Sequence, residues 1–248
     1  MVEPLFHSQI PDSLQPGQTF TLTGAEAKHA ASVRRMRPGE AIQITNGTGS
    51  RLRGEVAQVE PQSVVVRIEQ VVFDPAPSPR ITLVQALAKG DRDELAIQAA
   101  TELGVWAVIP WQADRSVSRW DGPKQTKGRE RWQQIVTEAA KQSLRSWVPQ
   151  VADSVTSKQL VGKFGEFDAV WVLEPTALDS LAKLAPNTPQ TIALIIGPEG
   201  GIDPQELELF AGAGAKLVRL GDEVLRTSTA GIAAISVIQA GVGNWSAK

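Results

Sequence analysis

Three short segments hold the residue types that could do chemistry: Leu173-Glu174-Pro175-Thr176, Gly197-Pro198-Glu199-Gly200-Gly201, and the run from Leu220 through Gly221, Val224, Leu225, Arg226 and Thr227 to Thr229. Glycines in the second segment free the backbone and let main-chain N–H and C=O groups come close enough to a ligand to read an adenine edge or a ribose. A side chain at Gly200 is expected to block that approach. Arg226 in the third is a fixed cation that could stabilise a developing anion, but a guanidinium stays protonated and cannot be the base. Glu199, Asp222 and Glu223 could each accept a proton, directly or through water. A lone Gly-Gly is more often an ordinary strand–helix turn. Three such segments at the ends of neighbouring strands make a candidate ligand site.

Missing chemistry narrows the class. The 248 residues include no cysteine, which excludes disulfides, thiolate-bound metals and a thiol nucleophile. The two histidines, His7 and His29, cannot complete a metal site or a hydrolytic triad, and no metal is expected. His29 reads as a surface or satisfied histidine. There is no phosphate loop of the G-x-x-x-x-G-K-[ST] type, no G-x-G-x-x-G after a strand and no G-x-S-x-G elbow. Gly212-Ala213-Gly214 reads as a helix stop.

The elements that must position the three loops follow from periodicity. Residues 1–73 read as mostly β, a small barrel, with strands over Ala41–Thr45, Arg51–Val59 and Ser63–Val72 and a turn at Asn46-Gly47. Three prolines within Asp74–Pro79 mark a stiff linker, residues 74–80. Residues 81–248 then alternate strand and helix. Strands are expected over Ile81–Ala88, Val105–Trp111, Ala169–Leu173, Thr191–Ile196 and Lys216–Leu220. Helices are expected over Asp91–Leu103, Gly128–Arg145, a run opening at Asp203-Pro204 with Glu206 reaching back, and Ala230–Gly241. Asp91 and Glu94 have the spacing of a capping box. The fold class is α/β with a mostly parallel sheet, whose ligands bind beyond the carboxyl ends of the strands.

The formal net charge is −2, but its distribution is uneven. Lys28 to Arg53 holds six basic residues against Glu40 alone, and Arg115 to Arg145 holds eight basic and three acidic. Such stretches can grip a polyanion locally, although a solvated charged face would look the same. No secretory signal or membrane-spanning run is seen, so a cytoplasmic protein is expected.

The glycine loop with its capped helix, followed by Val224-Leu-Arg-Thr-Ser-Thr-Ala230, resembles the RsmE family, 16S ribosomal RNA uracil-N3 methyltransferases of the knotted SPOUT class. Further pieces match in order: Lys89-Gly90, Gln98, Thr101-Glu-Leu-Gly-Val105, Arg115-Ser-Val117, Glu138-Ala-Ala-Lys-Gln-Ser143, Arg145 and Val148-Pro149. The stretch His29 to Gly39 resembles the start of that family's PUA-like barrel. Ala99 stands where many members have Lys, and Ser228 where many have Glu.

The resemblance implies a trefoil-knotted SPOUT methyltransferase domain behind a PUA-like β-barrel, a homodimer, and S-adenosyl-L-methionine as methyl donor. With the loops, it assigns the cofactor to Leu173, Glu174, Gly197, Pro198, Glu199, Gly200, Gly201, Leu220, Gly221, Val224, Leu225 and Thr227. Arg226 is the expected catalytic residue, favouring a uracil N3 anion. Arg34, Arg35, Arg37, Lys89, Arg115 and Arg145 are the expected RNA contacts. The implied substrate is 16S rRNA in the small ribosomal subunit, at the uridine of position 1498. The small residues Gly231, Ala233, Ala234 and Gly241, with Ile232, Ile235 and Ile238, place the dimer interface on the last helix. A SPOUT ribose 2′-O-methyltransferase would share fold and cofactor, but its last helix usually opens with an Asn-containing motif. A non-catalytic ribosome-assembly factor would suit the basic stretches but not the intact glycine loop.

Overall fold

A computed structural model of the protein describes residues 3–183, 189–243 and 245. The chain divides into two compact units: Met1–Ala76 with Ala140–Val148, and Pro77–Ala139 with Pro149–Lys248.

The first unit is built on strands β1 (Leu5–His7), β2 (Thr19–Thr23), β3 (Ala41–Thr45), β4 (Ser50–Glu60) and β5 (Ser63–Phe73). They form one sheet in the order β1-β3-β4-β5-β2, antiparallel except where β1 runs parallel to β3. Side chains alternate along each strand, so Phe20 and Leu22 of β2, and Val64, Val66 and Ile68 of β5, fall on one buried face. Helix α1 (Gly24–Lys28) continues into a π-turn, His29–Val33, which closes over that core with Ala27 and Ala30. His29 lies edge-on to Phe6, with ring centroids 5.7 Å apart. The ladder shifts register at Gly54, where a Cβ would stand 2.1 Å from the Arg67 carbonyl oxygen; only glycine fits there. Asp74, at the start of the proline-rich stretch, is held rather than loose. Its carboxylate pairs with Arg51 at 2.7 Å, and its carbonyl accepts the Trp147 Nε1–H at 2.9 Å.

The second unit is a parallel sheet with helices on both faces. Its strands are β6 (Arg80–Ala86), β7 (Ala107–Gln112), β8 (Gln150–Val151), β9 (Val155–Thr156), β10 (Ala169–Leu173), β11 (Asp179–Ser180), β12 (Thr191–Ile196) and β13 (Lys216–Arg219). The order is β11-β13-β10-β12-β6-β7-β8, with β9 also on β7, and every pair is parallel. Burial on both faces is why these strands read as near-continuous apolar runs. Alternation splits them between two cores. Ile81, Leu83, Ile192, Leu194 and Ile196 pack with Ala230, Ala234 and Ile235 of the last helix on one face. Val84, Ala86, Ala193 and Ile195 pack with Phe164 and Phe210 on the other.

Helices α2 (Arg92–Glu102), α3 (Pro123–Gln142), α4 (Ser157–Val161), α5 (Pro204–Gly212) and α6 (Thr227–Val242) complete the chain. Helix α5 starts as its sequence dictates. Asp203 accepts the Gln205 N–H at 2.9 Å, and Glu206 reaches back to the Asp203 N–H at 3.3 Å. Three expectations need correction. The Asp91–Glu94 capping box does not form: Asp91 sits at φ −105°, ψ 9° and makes no side-chain cap, while Glu94 binds Arg131 at 2.8 Å. Buried Asp93 does the work instead, accepting the N–H groups of Ala88 at 3.0 Å and Glu94 at 2.9 Å. Helix α3 begins five residues before Gly128 and ends at Gln142, because Leu144 adopts φ +57°. Ile235 and Ile238 of α6 are not available to a partner, since both lie in the core of their own unit. Among the described residues no helix is long and apolar enough to cross a membrane.

Candidate functional site

Strands β10 and β12 and the short β13 end side by side, and the loop leaving each one lines a single cavity of about 420 Å³. The β10 loop contributes Leu173, Glu174 and Pro175. The β12 loop contributes Gly197, Pro198, Glu199, Gly201 and Ile202. The β13 loop contributes Leu220, Gly221, Glu223, Val224, Leu225 and Arg226, with Thr227 and Ala230 following at the start of α6. Arg92 and Arg219 complete the wall. Every residue assigned to the cofactor from the sequence lies on this wall except Gly200. Gly200 turns outward: its carbonyl accepts from Arg115 at 3.3 Å, and an added Cβ would make ordinary contact with the Arg115 side chain at 3.4 Å. A Cβ at Gly200 would therefore rest on Arg115 and not on the cavity wall. The sensitive glycines are its neighbours. A Cβ on Gly197 would meet Ile202 Cγ1 at 2.7 Å, and Gly201 holds φ +72°.

Two polar contacts fix the loop. Glu199 Oε1 lies 2.7 Å from Arg92 Nη1 and accepts the Lys89 N–H at 3.1 Å. Burial works against ionisation of Glu199, but the Arg92 guanidinium and the backbone N–H groups of Glu199 and Lys89 outweigh it, so its pKa lies below the ordinary value. Beneath the loop, Thr227 Oγ1 donates to the Gly197 carbonyl at 2.7 Å and accepts from Gln85 Nε2 at 3.0 Å. Gln85 was not legible as a site residue, because a single glutamine within the apolar run of β6 carries no motif.

Arg226 is the residue before α6, in extended conformation at φ −66°, ψ 152°. Its carbonyl starts the helix by accepting the N–H groups of Thr229 and Ala230, both at 2.9 Å. Its side chain is exposed, lines the cavity, and has no ion-pair partner among the described residues. Two of the nearby acids are engaged elsewhere: Glu199 with Arg92, and Asp222 with Arg219 at 2.9 Å. Glu223 also lines the cavity and has no ion-pair partner among the described residues.

The basic residues fall into two groups. Arg34, Arg35 and Arg37 are exposed in the loop after the π-turn, with Arg35 at φ +54°. Lys89 is exposed on the second unit, and Arg115 is half-exposed, tied to Asp203 at 3.1 Å. Arg145, also expected to contact RNA, is half-buried. Burial lowers its pKa to about 10, the mark of a guanidinium drawn away from water within the first unit. Arg51 is likewise committed inward, to Asp74 and Gln43.

Residues 75–239 match the model of an RNA methyltransferase domain, and residues 22–69 that of an RNA methyltransferase PUA domain. The chain is similar to Ribosomal RNA small subunit methyltransferase E of Mycobacterium bovis, at 39% identity over 100% of this chain and 95% of that protein. It is 33% identical to the protein of that name from Bacillus subtilis, over 91% of each. Among solved structures, the Ribosomal RNA small subunit methyltransferase E of Neisseria gonorrhoeae bound to S-adenosyl methionine superposes with a TM-score of 0.87 at 29% identity, covering 99% of this chain and 100% of that one. Three loops at adjacent strand ends and a full-length match to these relatives lead to one assignment: the chain belongs to the ribosomal RNA small subunit methyltransferase E (RsmE) family.

Proposed function

We propose that the protein transfers a methyl group from S-adenosyl-L-methionine to N3 of one uridine in the 16S rRNA of the small ribosomal subunit. The observation that carries this is Arg226. It stands, with no ion-pair partner among the described residues, on the wall of a cavity whose other walls are backbone-rich loops suited to a nucleoside. The cavity volume suits a ligand of the donor's size, and Glu174, Glu199 and Glu223 suit a cation. The loops Leu173–Glu174, Gly197–Gly201 and Leu220–Leu225 would hold the donor. When bound, it supplies an electrophilic methyl on a sulfonium sulfur.

The protein's own residues must produce a nucleophilic nitrogen. Uracil N3 carries a proton, and its conjugate anion spreads charge onto both carbonyl oxygens. The Arg226 guanidinium, on the cavity wall, favours that anion. Of the acids, Glu174 accepts from Thr176, Glu199 is paired with Arg92 and Asp222 with Arg219, so Glu223 is the one placed to take the N3 proton, directly or through water. Arg34, Arg35, Arg37, Lys89 and Arg115 supply phosphate contacts. A homodimer would form through the half-buried flank of α6 at Ile232, Ala233 and Val237. The test is to incubate unmodified small subunits with protein and donor and to map reverse-transcription stops. A methyl at N3 blocks the Watson–Crick edge and gives one new stop at the uridine of position 1498. Demonstrated donor binding with no new stop on any ribosomal RNA would contradict the assignment.

A further inference from the structure

Gln85 lies at the carboxyl end of β6, one strand away from the cavity loops, and is fully buried. Its Nε2 donates to Thr227 Oγ1 at 3.0 Å and to the Ala86 carbonyl at 3.2 Å, while its Oε1 is buried with no hydrogen-bond partner among the described residues. A buried amide with one end unsatisfied is costly and calls for a physical reason. Here the donor end has a specific consequence. A hydroxyl has one proton, and with Gln85 donating to Thr227, that proton is directed onto the Gly197 carbonyl, 2.7 Å away.

The three groups therefore form a directional chain, Gln85 to Thr227 to Gly197, in which each link fixes the next. Gly197 begins the glycine loop on β12. Thr227 follows Arg226 directly and is the first residue of α6. The packing around the chain is close: a Cβ on Gly231, one turn into α6, would meet Leu83 Cδ1 at 3.3 Å and Ile196 Cγ1 at 3.4 Å, with Gln85 Oε1 at 3.9 Å. A larger residue at 231 would wedge α6 away from β6 and β12, and the hydrogen bonds would stretch.

We infer that Gln85 is a positioning residue for methyl transfer: acting through Thr227, it locks the glycine loop and Arg226 into one rigid piece. This rests on the reading of the cavity as the donor site with Arg226 facing the substrate. Misplacement of a reacting group by a fraction of an ångström to an ångström lowers turnover far more than it lowers ligand affinity. The chain of hydrogen bonds is thus expected to act on kcat more than on donor binding.

The experiment measures donor affinity by calorimetry, kcat on small ribosomal subunits at saturating donor, and thermal melting, for Gln85→Met, Thr227→Val and Thr227→Ser, and for Gln85→Met combined with Arg226→Ala. Gln85→Met conserves volume and removes the donor. It is expected to melt near the wild type, to weaken donor binding about threefold, and to lower kcat about tenfold. Thr227→Val should match it, and Thr227→Ser, which restores the hydroxyl, should return kcat to within about twofold of the wild type. In the Arg226→Ala background the Gln85→Met change should lower kcat by clearly less than tenfold, because Arg226, one of the two groups it positions, is gone. Wild-type kcat in Gln85→Met, a Thr227→Ser defect as large as that of Thr227→Val, or a tenfold loss that persists undiminished on Arg226→Ala would each overturn the inference. If Gln85→Met does not fold, the Thr227 pair decides alone. A wild-type protein that transfers no methyl sinks the site assignment and the inference with it; active wild type with unaffected variants sinks the inference only.

Discussion

Arg92 Nη1 lies 2.7 Å from Glu199 Oε1, joining the first turn of α2 to the glycine loop after β12. The pair makes a wall of the cavity out of two segments over a hundred residues apart in sequence, and it removes Glu199 from the acids able to serve as a base. Because the two side chains are partly exposed, the pair contributes modestly to stability in water. Its effect is on loop geometry. Arg92→Ala is expected to weaken binding of S-adenosylmethionine about threefold to tenfold with little change in melting, checked by calorimetry.

The same pair sets a pH dependence. The pKa of Glu199 is depressed in the folded protein, so its ionised, paired form persists through neutral pH and is lost only as pH falls through that lowered value. Donor affinity should be flat from neutral to mildly alkaline pH and should decline only in the acid range. In Glu199→Gln the acid limb attributable to this group should disappear. A titration of the dissociation constant against pH for both proteins checks this.

The glycines of the β12 loop should differ sharply. Gly200→Ala should bind the donor like the wild type, since its Cβ would rest on Arg115 outside the cavity. Gly201→Ala must hold φ +72° with a side chain, which costs about 1–2 kcal/mol. Gly197→Ala must displace buried Ile202, which lines the cavity. Both should lose donor affinity by tenfold or more, about 1.4 kcal/mol. Equal affinities for all three variants would show that the loop does not embrace the donor.

Much of this was legible in the sequence, for identifiable reasons. Strands β10 and β12 match their expected bounds because a strand buried on both faces must be apolar at every position. The start of α5 was legible because Asp203, Pro204 and Glu206 each have one favoured place in a helix N-terminus. The start of α6 was not. Arg226 precedes it without any side-chain cap, and Thr227 spends its hydroxyl on Gly197, so no cap motif marks the boundary. The pattern at Asp91 and Glu94 misled, because spacing does not report that Asp91 lacks the extended conformation a cap needs. Strand β1, three residues long, is too short to give a period. Charge counting could not separate exposed Arg34, Arg35 and Arg37 from half-buried Arg145, whose exposure depends on the fold of the first unit.

That separation yields a prediction for RNA binding. Replacing Arg34, Arg35 and Arg37 together by Ala should weaken binding to the small subunit and reduce the dependence of log affinity on log salt by about two, since each phosphate contact contributes somewhat under one. Arg145→Ala should instead lower the melting temperature and leave the salt slope unchanged. Binding isotherms at several salt concentrations distinguish them.

The half-buried flank of α6 at Ile232, Ala233 and Val237 predicts a dimer at micromolar concentration by sedimentation. Ile232→Glu on that flank should yield monomer with its fold intact, as judged by circular dichroism. A wild-type protein that sediments as a monomer would remove the dimer from the account.

The central claim is that the Arg226-bearing cavity methylates N3 of a uridine. It is tested most directly by digesting small-subunit RNA to nucleosides after reaction with labelled donor, and identifying the labelled product by chromatography and mass spectrometry. The account predicts one 3-methyluridine per small subunit with the wild-type protein. With Arg226→Ala it predicts a rate lower by about a hundredfold, the scale of removing one oriented donor, at nearly unchanged donor affinity. Label recovered as 2′-O-methyluridine, or 3-methyluridine formed by Arg226→Ala at the wild-type rate, would contradict it.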